Sequence, residues 1–140
     1  MRRSESYRQL VVARAGGVCE YCRLVEAATG VVFHVEHCRP RSLGGPTTMS
    51  NLALSCPGCN LAKAQRTIGT DDDGVDQPLF NPREYEPWIL GWHLHFSLDR
   101  RSGLILPRSG VGQATVRALD FNADNRALAR LLQIRSGLLG

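Results

Sequence analysis

A chain of 140 residues can bury one modest hydrophobic core, or one small core supplemented by a metal-stapled lobe. Hydrophobic residues at 43% and charged residues at 21% exclude a mainly disordered chain, and no apolar run approaches the roughly 18 residues that a membrane helix needs. The net charge of +4 is unevenly held: residues 1–70 carry nine Arg/Lys against four Asp/Glu, and residues 71–140 carry eight against nine, so polyanions are the natural partners of the first half.

In chain order, Met1-Arg2-Arg3-Ser4 leads into Glu5 and polar residues without a hydrophobic signal core, and the cytoplasm is the expected location. Residues 5–15 place Tyr7, Leu10, Val11 and Arg14 at helical spacing, with Ser4 as N-cap and Gly16-Gly17 as the stop. After the pair Cys19/Cys22, the β-branched run Val31 to Cys38, bounded by Gly30 and Pro40, predicts the first strand of a hairpin. Arg39 to Pro46 is a turn-rich loop. The apolar stretch Asn51 to Ser55 precedes the pair Cys56/Cys59, and Pro57 to Arg66 is predicted helical, with Asn60 and Lys63 on one face.

Residues 69–78 hold Asp71, Asp72, Asp73 and Asp76 among glycines and predict a solvated acidic linker. Beyond it, Leu94, Phe96 and Leu98 alternate with His93, His95 and Ser97; a turn at residues 99–103 and the return through Leu104 to Leu106 complete a second predicted hairpin. On that reading His93 and His95 lie on its polar face without catalytic duty, and Trp88 and Trp92 serve packing. Helices are expected over residues 111–120 and 123–135, burying Val116 and Leu119, then Leu128, Leu131 and Leu132. The predicted organisation is a core over residues 1–68, a linker over 69–78 and a C-terminal extension over 79–140 packed on that core.

Four of the five cysteines form two Cys-x-x-Cys pairs. In a secreted chain they could close two disulfides, whereas in a reducing cytosol thiols stay free for metal, and the missing signal core favours zinc. Cys19, Cys22, Cys56 and Cys59 offer a closed tetrahedron of thiolates, which makes that ion structural. Cys38 has no such partner and is read as a buried packing residue. The 33 residues between Cys22 and Cys56 hold an insertion carrying His34, Glu36, His37 and Asn51.

The text Glu36-His37, Pro40, Gly44-Gly45, Asn51-Leu52, Cys56-Pro57-Gly58-Cys59-Asn60 and Lys63, spread over residues 19–66, resembles the HNH endonucleases in the version where a four-cysteine zinc site supports a ββα-metal core. Downstream, Pro78 to Arg83, Trp92, His95-Phe96 and Gly112 to Val116 look like the tail of small standalone bacterial members. The resemblance implies an α+β fold and metal-dependent hydrolysis of DNA. Its general base would be His37, Glu36 and Asn60 would bind Mg²⁺ or Mn²⁺, and Asn51 would hold the histidine loop by hydrogen bonding. Imidazole titrates near neutrality and the oxygen donors suit hard cations, as phosphodiester hydrolysis requires. His34 is an auxiliary ligand candidate; Lys63, Arg39, Arg41 and Arg66 are expected on the phosphate backbone. Because strand neighbours alternate, His34 and Glu36 share a face and His37 turns away, so either the strand distorts towards Pro40 or metal and base approach from different sides. The competing reading is a non-catalytic, zinc-stabilised nucleic-acid-binding or adaptor module with no membrane role.

Overall fold

The computed structural model describes residues 7–139. Helix α1 (Arg8–Ala15) buries Val11 and Ala15 and stops where Gly16 turns left-handed at φ 70°; Ser4, the expected N-cap, lies outside the described residues. After the first cysteine pair and a one-turn helix α2 (Glu26–Thr29), strands β1 (His34–His37) and β2 (Leu52–Ser55) pair antiparallel, with His34 opposite Ser55 and His37 opposite Leu52. Helix α3 (Pro57–Lys63) follows directly, giving the order strand, strand, helix, with the first cysteine pair before β1 and the second at the start of α3. It is shorter than predicted because Ala64 enters the left-handed region at φ 49° and breaks the repeat before Arg66. Mixed helices and small antiparallel sheets make this an α+β chain. Among the described residues no helix is long and apolar enough to cross a membrane.

Residues 69–78 are mostly exposed, as expected, but they are ordered as part of a hairpin. Strands β3 (Ile68–Thr70) and β4 (Asp76–Pro78) form a hairpin whose turn is tied by Asp71, which accepts hydrogen bonds from the Asp73 and Val75 amides at 2.9 Å each. The hairpin lies close against helix α5 (Gly110–Ala118): a Cβ at Gly69 would meet Leu79 Cδ2 at 2.9 Å and the Ala114 carbonyl at 3.2 Å. The acidic run therefore draws its order from side-chain capping and from a packing partner forty residues on, neither of which composition records.

The second predicted hairpin is present but begins later. Trp88–His95 forms helix α4, and only Phe96–Leu98 (β5) and Ile105–Pro107 (β6) pair as strands. His93 and His95 thus sit on a helix. The apparent alternation coincides with a spacing of four: Trp88, Trp92 and Phe96 are buried, while Leu90 and Leu94 are each 62% exposed. Phe96 packs against Phe80, Trp92 and Phe121 with ring centroids 5.2–5.5 Å apart, and Trp92 Nε1 donates to the Tyr21 carbonyl at 2.8 Å. One aromatic cluster therefore joins the extension to the first cysteine pair.

Helix α6 (Asp124–Arg135) is present, with a different buried face. Leu128 and Leu132 are exposed; Ala127, Arg130, Gln133 and Ile134 face inward. Arg130, fully buried, donates through Nε to the Gly103 carbonyl at 2.7 Å and through Nη2 to the Phe121 carbonyl at 2.6 Å. Gln133 Oε1 accepts the Val25 amide at 2.8 Å. The segments that meet α6 present backbone carbonyls and an amide that need partners, so Arg130 and Gln133 take inward positions in place of Leu128 and Leu132. Arg130→Met is expected to cost about 3 kcal/mol in chemical denaturation by leaving those carbonyls without donors, whereas Leu128→Gln stays within about 0.5 kcal/mol; the reverse ranking would restore the leucine face.

Candidate active site and metal centre

Two tight turns carry the cysteines. In each, the second cysteine's amide lies 3.4 Å from the first one's sulfur, Cys22 N on Cys19 Sγ and Cys59 N on Cys56 Sγ. The four Sγ atoms all lie within 4.8 Å of one another, with Cys22 and Cys56 3.5 Å apart. A zinc tetrahedron with bonds of about 2.3 Å has edges of comparable length, so the cluster is compatible with a structural zinc. Burial opposes ionisation, yet hydrogen bonds from the other cysteines and the Arg126 charge hold the Cys22 thiol well below its ordinary value.

Arg126 was not legible as a participant. It comes from the first turn of α6 and sets Nη2 2.6 Å from Cys59 Sγ and 3.7 Å from Cys56 Sγ, while Nη1 donates to the Leu119 and Asp120 carbonyls. Four thiolates around one Zn²⁺ leave a net charge of about −2 in a buried place, and a guanidinium at hydrogen-bond distance offsets part of it. The only hint in the sequence is one arginine among sixteen. We expect one zinc per chain by elemental analysis, unchanged in Cys38→Ser, and a faster release of zinc to a chromophoric chelator from Arg126→Gln. Zinc-free soluble, folded protein would sink the first expectation, and wild-type release from the variant the second.

The inserted hairpin carries the remaining polar groups. Asn51, buried at the start of β2, accepts the Arg39 amide on Oδ1 at 2.9 Å and donates from Nδ2 to the carbonyls of Arg39 at 3.1 Å and Pro46 at 2.9 Å. It closes the loop after β1 into one piece. Gly45 is required there, since a Cβ would lie 1.9 Å from the Arg39 carbonyl oxygen. His37, half-buried at the end of β1, has Nε2 2.8 Å from Thr47 Oγ1, a partner from the middle of that loop which no sequence signal marked. Burial, helped by the charge of Arg41, lowers its pKa, which favours the neutral imidazole.

β1 keeps regular pairing through His37, so the distortion considered for it is absent and the two faces persist. A hollow at the strand end is nonetheless bordered by His34, Glu36, His37, Arg41 and Asn60 together. Glu36 is buried, with Oε1 2.9 Å from both the Tyr21 hydroxyl and Lys63 Nζ, while Oε2 has no hydrogen-bond partner. Desolvation raises its pKa and Lys63 opposes the rise. Glu36, Asn60 and His34 border the same hollow, and their oxygen and nitrogen donors are of the kind a divalent cation takes.

Lys63 requires correction as a phosphate contact. It is 2% exposed, and besides Glu36 it reaches the Cys38 carbonyl at 3.2 Å. Arg66 is exposed but caps α3, donating to the Ala62 carbonyl at 2.6 Å and the Ala118 carbonyl at 2.7 Å. Arg39 is exposed, its Nε on the Leu43 carbonyl, and Arg41 is exposed on the rim of the hollow. Cys38 is buried outside the four-cysteine cluster, and burial pushes its thiol up to about 12. Outward from β1, His95 bridges the Tyr85 hydroxyl and Ser109 Oγ at 2.6 Å each, a packing role within the extension. Lys63→Met is expected to destabilise the fold by about 3–5 kcal/mol through an unpaired Glu36, with most of it recovered in Lys63→Met/Glu36→Gln; an unchanged denaturation midpoint in the single variant would return Lys63 to the surface.

Comparison with protein families matches residues 19–66 to HNH endonuclease, the segment bounded by the first cysteine and the end of α3. Comparison with curated proteins and with solved structures finds no match. The segment is an HNH domain, which carries a nuclease or nucleic-acid-binding function.

Proposed function

We propose that the HNH domain at residues 19–66 makes this chain a metal-dependent endonuclease that hydrolyses phosphodiester bonds in DNA. The observation that carries the reading is the convergence of His37, Glu36, Asn60 and His34 on one hollow beside an arginine, between two cysteine turns that hold both ends of the segment. His37, kept neutral by burial, removes the proton from a water as its oxygen attacks phosphorus, and the ester oxygen on the opposite side departs with the bonding pair. Thr47 at Nε2 orients the ring, and Asn51 holds the loop that bears Thr47. Arg41 faces the phosphate from the rim. Glu36, Asn60 and His34 would hold Mg²⁺ or Mn²⁺, which supplies neutralisation of the phosphate and the leaving oxygen when bound. The basic first half supports DNA as partner, through Arg39 and Arg41 in particular, and a cytoplasmic setting is consistent with free thiols.

One observation favours a non-catalytic nucleic-acid-binding module instead: Lys63 already neutralises one oxygen of Glu36. Nicking of supercoiled plasmid separates the two. Wild-type protein is expected to nick with Mg²⁺ or Mn²⁺, His37→Ala to lose about 10²–10⁴ in rate while keeping zinc and DNA affinity, and Glu36→Gln to need more metal for half-maximal rate. A metal-dependent rate unaffected by His37→Ala would move the base elsewhere, with His34 next, and no nicking with any divalent cation would favour the binding module.

A further inference from the structure

A second cavity, of about 550 Å³, opens between the end of α1 and the start of α4 and shares no residue with the His37 hollow. Three arginines border it, Arg14, Arg23 and Arg83, with Glu86 as the one acidic residue on its wall. Arg83 is neutralised by the fully buried Glu20, whose other oxygen accepts the Leu54 amide at 2.7 Å. Arg14 donates to the Met49 carbonyl at 2.7 Å and to the Leu52 carbonyl, contacts that fix its position without cancelling its charge. Arg23 lies with its guanidinium 4.8 Å from the Trp92 ring centroid and has no hydrogen-bond or ion-pair partner among the described residues. The Nε atoms of Arg14 and Arg23 are both buried and unbonded.

Burial pushes both guanidiniums below their ordinary range, with Arg83 adding to the effect at Arg14 and Arg100 at Arg23. With Glu20 already paired to Arg83 and only the exposed Glu86 on the wall, the half-buried Arg14 and Arg23 are incompletely compensated, and an anion entering the cavity relieves the cost of their burial while forming charge-assisted hydrogen bonds. The lining also includes the apolar side chains of Val18, Trp88 and Ile89, and the volume falls in the range of small-molecule sites. An inorganic anion would leave most of that lining untouched.

We propose that this cavity binds a nucleoside monophosphate group, its phosphate on Arg14 and Arg23 and its nucleoside against Val18, Trp88 and Ile89. The nucleoside half rests on the nuclease reading above, while the phosphate half stands on the arginines alone. The group is either a free nucleotide or the phosphorylated end of a DNA strand.

The test is calorimetric titration of the zinc-loaded full chain, without added divalent cation, using thymidine 5′-monophosphate, thymidine, and one short oligodeoxynucleotide bearing either a 5′-phosphate or a 5′-hydroxyl. The monophosphate is expected to bind at least about tenfold tighter than thymidine, and Arg23→Gln to weaken it by about tenfold or more, as for the loss of one charge-assisted contact. Glu86→Gln, an exposed change, should tighten binding, and His37→Ala should leave it unaltered. A preference for the 5′-phosphate over the 5′-hydroxyl strand assigns the group to a DNA end, and equal strands with a bound monophosphate assign it to a free nucleotide. Equal affinity for thymidine, wild-type affinity in Arg23→Gln, or no binding at millimolar monophosphate overturns the proposal. Plasmid nicking without monophosphate binding rejects this cavity alone, and monophosphate binding without nicking rejects the nuclease reading alone.

Discussion

Everything in this molecule is arranged around the closure of residues 19–59 by four sulfurs. The two cysteine pairs lie more than thirty residues apart, and bringing them within 4.8 Å closes the chain into a loop at an entropic cost that a short hairpin cannot offset by itself. Metal–thiolate bonds can, because a site of this kind is assembled only in the folded state and its binding energy becomes folding energy. With both ends held, β1 and β2 pair between the two cysteine turns, and α3 begins within the second, at Pro57 between Cys56 and Cys59. The positions of His37, Glu36 and Asn60 relative to one another follow from that closure.

The C-terminal part contributes to the same centre instead of merely resting on it. Helix α6 reaches the second cysteine pair through Arg126, the first turn's carbonyl through Arg130 Nη1 at 3.5 Å and the following Val25 amide through Gln133. Trp92 holds the Tyr21 carbonyl from α4. These are polar contacts made inside an otherwise apolar interface, where an unpaired group is expensive, so they select one docking geometry. A cationic cavity lies between α1 and α4, on elements far apart along the chain.

At the hollow, the buried pair Glu36–Lys63 sets the electrostatics. Burial raises the pKa of this carboxylate while the ammonium and a phenol hydroxyl oppose the rise, and its second oxygen is left without a hydrogen-bond partner. His37, on the other face of the strand, is isolated from that carboxylate and held neutral by burial and by Arg41. The alternation of β1 thus sets Glu36 and His37 on opposite faces of the strand while both border one space.

The chain's order of residues by itself determined the cysteine closure, the strand–loop–strand–helix insertion, and the presence of Asn51 and Gly45 in the connecting loop, because spacing, turn chemistry and alternation are local properties. What needed the tertiary structure was every property set by a distant neighbour. Lys63 reads as a surface cation one turn after Asn60, yet the side of α3 that carries it faces β1, where Glu36 waits. Leu128 and Leu132 read as core, yet the surface opposite α6 presents backbone polar groups, and Arg130 turns inward to donate to carbonyls while Gln133 accepts the Val25 amide. Residues 93–98 alternate like a strand, but Trp88, Trp92 and Phe96 recur every fourth position, and an aromatic cluster drawn from four separate segments selects a helix over Trp88–His95. A local pattern states which faces a segment has; only the partner's chemistry decides which of them is buried.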